Sequence, residues 1–126
     1  MATTFIKVAV VYLIIGVSFG IYMGISKQFQ FAPVHAHINL LGWASLALMG
    51  LIYYVFPRAG SSKLAPWHFW IYNLGAAGFV IGLYLVLSGN EGAVPLTIAA
   101  ANLTWVGILL FLVNVFANVR EAPKTG

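Results

Sequence analysis

The sequence predicts an all-α integral membrane protein, a four-helix bundle, and three observations carry that prediction. Of its 126 residues, 62% are hydrophobic and only 6% are charged, whereas a soluble domain carries about 25% charged residues to cover its surface. Mean hydropathy is +0.97. Four separate runs reach the roughly 20 mostly apolar residues that a helix needs to cross a hydrocarbon core about 30 Å deep. They read as one transmembrane domain over residues 1–126.

Span 1 covers about Phe5–Ile25. Lys7 is the only charge at its start and no small-residue cleavage site follows it, so it reads as a span and not as a signal peptide. Gly16, Gly20 and Gly24 lie four apart on one face. Such a stripe lets helices approach closely, within the bundle or at a subunit contact, or makes room for a flat ligand. The connector "SKQFQFAP" leads to span 2, about Val34–Phe56, with His35 and His37 at its mouth. "PRAGSSKLAP" follows, with Pro57 ending one helix and Pro66 starting the next, as proline favours the first turn and breaks an interior. Span 3, about Trp67–Leu87, opens on "PWHFW", an aromatic-belt context that places His68 at the membrane surface. It carries its own small stripe, Gly75, Gly78 and Gly82. "SGNEGAVP" then leads to span 4, about Val94–Ala117.

Positive charge orients the spans. With both termini in the cytoplasm, Lys7, Arg58, Lys63, Arg120 and Lys124 lie inside and only Lys27 outside, the asymmetry seen in membrane proteins. Span 2 then enters from the outer side. His35 and His37 lie near the outer surface and His68 near the inner one, about 30 Å away, so the three cannot share one metal within a chain. Cations scattered singly at span ends set topology and do not form a nucleic-acid surface. The absence of cysteine excludes disulfides and thiolate ligands. Glu91 and Glu121 are the only acidic residues, too few for paired-carboxylate catalysis or a hard-cation cage.

A histidine is costly in a membrane and defaults to a functional reading there, although near a span end water and headgroups reduce the cost. At about 100° per residue, His35 and His37 point about 200° apart. They cannot chelate one ion from a regular helix, but can serve separate sites on the two flanks of span 2. His35 shares its face with Asn39, Gly42, Met49 and Tyr53, and His37 with Leu41, Ala44, Leu48 and Val55. Asn39, Asn73, Asn102 and Asn114 fall inside spans, and each needs a hydrogen-bond partner, for which helix–helix bonding is the expected source.

"HAHINLLGWASLALMGLIYYVFPR" followed by "WHFWIYNLGAAGFVIGLY" resembles the catalytic subunit of the haem-copper oxygen reductases, and within them the C-family cytochrome-c oxidases and nitric oxide reductases. The matching elements are His35-x-His37, Leu41-Gly42-Trp43, the Gly50 to Arg58 exit, then His68-Phe69-Trp70 with Gly75 beyond. The similarity covers roughly residues 32–85, the tenth and eleventh of the family's twelve helices. It implies that His35 is a high-spin haem ligand, that His37 is a low-spin haem ligand, and that His68 occupies a position that is not a haem ligand. Asn39, Gly42 and Trp43 are the accompanying candidate pocket residues.

This chain has the helices of one family arc out of three, and lacks the copper-ligand helix and the helix opposite the low-spin ligand, so oxidase activity does not transfer to it. The resemblance instead implies a homotrimer in the membrane. In it, His37 of one protomer faces His35 of the next, and the two hold six-coordinate haem b for electron transfer or, if one ligand is absent, small-gas binding. A histidine copper site and a cofactor-free accessory subunit of a respiratory complex are the alternatives. Quinol or a respiratory-chain protein would be the partner, in a bacterial cytoplasmic membrane.

Overall fold

In the computed structural model, which describes residues 1–121, the four apolar runs form four helices long and apolar enough to cross a membrane. These are α1 (Ala2–Ser26), α2 (Phe29–Val55), α3 (Leu64–Leu87) and α4 (Glu91–Asn118). No strand occurs among the described residues. Lys124, counted above with the inner cations, lies outside them.

Local chemistry sets the helix ends. α1 stops at Lys27, whose φ of 59° is left-handed, a common way to terminate a helix. α2 stops because Phe56 precedes Pro57 and is pushed out of the helical region, to φ −117° and ψ 79°. A one-turn helix, Pro57–Gly60, follows. Gly89 turns the chain between α3 and α4 at φ 98°, a conformation that favours glycine.

The helices pair as two hairpins, α1 along α2 and α3 along α4. The second is closely packed. A Cβ at Gly75 would lie 2.9 Å from the Leu103 carbonyl carbon and closer still to the Thr104 nitrogen. One at Gly107 would lie 2.8 Å from the Tyr72 Cα. Backbone cannot swing aside as a side chain can, so Gly75→Ala should destabilise the bundle by about 1–3 kcal/mol, the usual cost of overpacking. Thermal unfolding in detergent checks this. Gly24→Ala is the control and should leave stability unchanged or slightly raised, since a Cβ there meets nothing within 4 Å.

Between the hairpins lies a core of Phe5, Leu46, Met49, Tyr53, Phe69 and Tyr72. It includes one departure from a regular helix. α2 widens to π-helical geometry over Ile38–Ser45, and the Tyr72 hydroxyl of α3 donates to the Leu41 carbonyl within that stretch at 2.8 Å. A side chain bonding into the backbone ladder is a recognised companion of such widening.

Candidate functional site

His35 and His37 occupy the regular first turns of α2, Ala32–His37, and their rings diverge as the 200° relation requires. The His37 Nδ1 lies 2.7 Å from the Pro33 carbonyl, and the His35 Nδ1 lies 2.8 Å from the Gly16 carbonyl of α1. A carbonyl only accepts, so in each ring Nδ1 carries a proton and donates it. Asn39 Nδ2 is 3.2 Å from the same His35 Nδ1 and 3.1 Å from the His35 carbonyl. Two donors cannot bond each other, so the bond to the carbonyl is the one made.

The surroundings of the two rings differ. The His37 ring stands edge-on to Phe79 of α3, with centroids 5.1 Å apart, at a groove of about 210 Å³ between Leu41 of α2 and Ala101 and Thr104 of α4. His35 lies on α1. A Cβ at Gly20 would be 2.6 Å from its Cε1 and 3.2 Å from its Nε2, and one at Gly16 would be 2.9 Å from the Asn39 Cγ. Gly16 and Gly20 therefore seat α2 side chains, and not the backbone of another subunit. Gly20→Ala should cost about 1–3 kcal/mol of stability. Adding His35→Ala should recover part of that loss, because truncating the ring removes the clash. A double-mutant cycle by thermal unfolding measures this coupling.

The remaining candidates are packed among neighbours. Gly42 is buried against Tyr12, whose Cβ would lie 2.7 Å from an added Cβ. Trp43 is partly buried against the core between the hairpins. The fold brings His35, Asn39, Gly16 and Gly20 together, and it places His37 on the opposite flank.

His68 is enclosed by the bundle itself. It is 0% exposed, lying between the rings of Phe5 and Phe111 at centroid distances of 4.9 Å each. The helix begins at Leu64, two residues before Pro66, so His68 lies in its second turn, on a buried face. Its Nδ1 is 2.8 Å from the Tyr53 hydroxyl. Asn114 of α4 donates to that hydroxyl at 2.9 Å and to the Ala59 carbonyl at 3.0 Å. Its own oxygen accepts from Ser62 at 2.8 Å and from Asn118 at 2.7 Å.

This network was not foreseen as a unit. Asn114 was the available signal, an amide in an apolar run. The other three intramembrane amides bond locally: Asn39, Asn73 and Asn102 donate to the carbonyls of His35, Phe69 and Ile98 in their own helices. The expectation of helix–helix bonding holds for Asn114 alone among the four.

Among the described residues no three histidines or carboxylates gather as a metal site. What the chain offers is two imidazoles on opposite flanks of one helix, each held through Nδ1 by a backbone carbonyl with Nε2 as the remaining ring nitrogen. No family model and no solved structure matches the chain. Over 121 aligned positions it is 34% identical to cytochrome c oxidase subunit 1 of Rhodobacter capsulatus, covering 72% of this chain and 23% of that protein. It is 40% identical over 68 positions to a cytochrome c oxidase subunit 1 homolog of Agrobacterium tumefaciens (strain T37), covering 45% of this chain and 13% of that protein. The chain thus spans less than a quarter of the length of these relatives. The four apolar helices and the partial similarity support a multi-pass membrane protein with a haem-copper oxidase-like relationship.

Proposed function

We propose that this chain binds haem b in the membrane as a homotrimer, with axial ligands His37 from one protomer and His35 from the next, for electron transfer or small-gas binding. One observation carries the reading: both rings are tethered through Nδ1 to backbone carbonyls, which leaves Nε2 as the nitrogen to face a metal. Metal-ligating histidines are held in this way, with the second nitrogen donating to a carbonyl or carboxylate. When bound, haem supplies one-electron or gas-binding chemistry, and the axial ligands set its potential. The fit is better at His37, whose ring borders an apolar groove, than at His35, whose ring edge rests on Gly20. Asn102 supports self-association. Its amide is exposed on α4 next to Ala101 of the groove, and an exposed amide at hydrocarbon depth favours a neighbouring helix over lipid. The proposed setting is a bacterial cytoplasmic membrane with both termini inside.

The seating of His35 on Gly20 favours a second reading, a cofactor-free accessory subunit of a respiratory complex. A copper site would need histidines from several chains. The visible spectrum of protein purified from haem-replete cells separates these readings. Red protein with a sharp reduced b-type band, a trimer mass in detergent and no copper supports the proposal. A colourless protein that co-purifies with other subunits supports the accessory role. A spectral shift with carbon monoxide marks five-coordinate iron and gas binding, and an unchanged spectrum marks two axial histidines and electron transfer.

A further inference from the structure

The chain contains two arginines, Arg58 and Arg120, far apart in sequence. The fold brings both to one groove of about 370 Å³, walled by Val55, Phe56 and Pro57 and bordered by Glu121. Arg58 rides on the one-turn helix Pro57–Gly60, which is pinned under the end of α4 by the bond from Asn114 to the Ala59 carbonyl. Arg120 follows the last residue of α4 by two positions. Both side chains are exposed. Arg58 thus stands three residues and Arg120 two residues past the end of an apolar helix, at headgroup level.

We propose that this groove binds the phosphate of an anionic phospholipid, with Arg58 and Arg120 presenting two guanidinium forks to its oxygens. Guanidinium groups match phosphate geometry through paired donors, and basic pockets between transmembrane helices recognise lipid headgroups. The apolar wall of Val55 and Phe56 favours a lipid over free phosphate, because it offers the glycerol and upper acyl chain a surface. Glu121 makes a headgroup with hydroxyl donors, such as that of phosphatidylglycerol, the better occupant. Twenty-one residues separate His37 from Arg58, about 30 Å along α2, so this site is independent of the histidine reading.

Native mass spectrometry of the detergent-purified protein titrated with phosphatidylglycerol tests the site, with phosphatidylcholine and inorganic phosphate as separate arms. The parent should bind phosphatidylglycerol at least about tenfold more tightly than phosphatidylcholine, and millimolar inorganic phosphate should not displace it. Arg58→Gln and Arg120→Gln should each weaken binding several-fold, and together should bring it to the phosphatidylcholine level. Arg58→Lys, which keeps charge and fold but loses the fork, should fall between parent and Arg58→Gln. Lys63→Gln removes one charge at the same end of the bundle and should have little effect. The proposal is overturned if the double variant binds like the parent, if Lys63→Gln weakens binding as much as either arginine variant, or if inorganic phosphate competes at millimolar concentration.

Discussion

His37→Ala should leave the purified protein with at least about tenfold less bound haem than the parent, because loss of even an outer-shell partner of a metal ligand costs about 10–100-fold in affinity. The paired variant His35→Ala decides the axial set. If His35 ligates from a neighbouring protomer, its loss should convert the spectrum to a five-coordinate one that responds to carbon monoxide, or remove the haem as His37→Ala does. If His35 serves only to bind Gly16 and fill the space over Gly20, His35→Ala should keep the haem spectrum and lower the unfolding temperature. His68→Ala is the comparison, since its ring is enclosed by Phe5, Phe111 and Tyr53. It should change stability and not the haem spectrum. Unchanged spectra in both His35→Ala and His37→Ala would remove the ligand assignment.

Asn114→Leu should be the most destabilising of the single polar substitutions in the bundle. The amide is 0% exposed, and it makes four hydrogen bonds, to Tyr53, Ala59, Ser62 and Asn118. Leucine has a similar shape, so packing is largely kept and the change isolates the bonds. Interhelical hydrogen bonds in membranes average about 0.6 kcal/mol each and reach about 1.7 kcal/mol. Four bonds, with partners left unpaired away from water, give an expected loss of about 2–4 kcal/mol by reversible unfolding in mixed micelles. Ser62→Ala, which removes one bond at a partly buried position, should cost about 1 kcal/mol or less. A loss for Asn114→Leu no larger than that for Ser62→Ala would show that the network does not hold the hairpins together.

Much of the architecture was legible in the chain. Apolar run length located four helices to within a few residues, and Pro57 marked the end of α2. The divergence of His35 and His37 followed from helical spacing, which the regular turns over Ala32–His37 preserve. The chemistry around each ring was less legible. Hydropathy does not say that Gly16 and Gly20 lie beneath Asn39 and His35, because the match depends on how far α1 slides along α2. The π-helical stretch Ile38–Ser45 was equally hidden, since the hydroxyl bonded within it belongs to Tyr72, on another helix.

By itself the sequence determined how many helices are long enough to cross a membrane, roughly where they lie, and which residues can ligate or carry charge. Those properties depend on near neighbours along the chain: apolar length, proline, glycine and the 100° step. Only the tertiary structure decided which polar groups meet. It buried His68 between two phenylalanines, satisfied Asn114 from three directions, and brought Arg58 to Arg120. In an apolar medium every helix is about equally well solvated on every face, so hydrophobicity cannot select the contact. Close packing at Gly75, Gly82 and Gly107 and the few interhelical hydrogen bonds select it instead, and both exist only once the hairpins have come together.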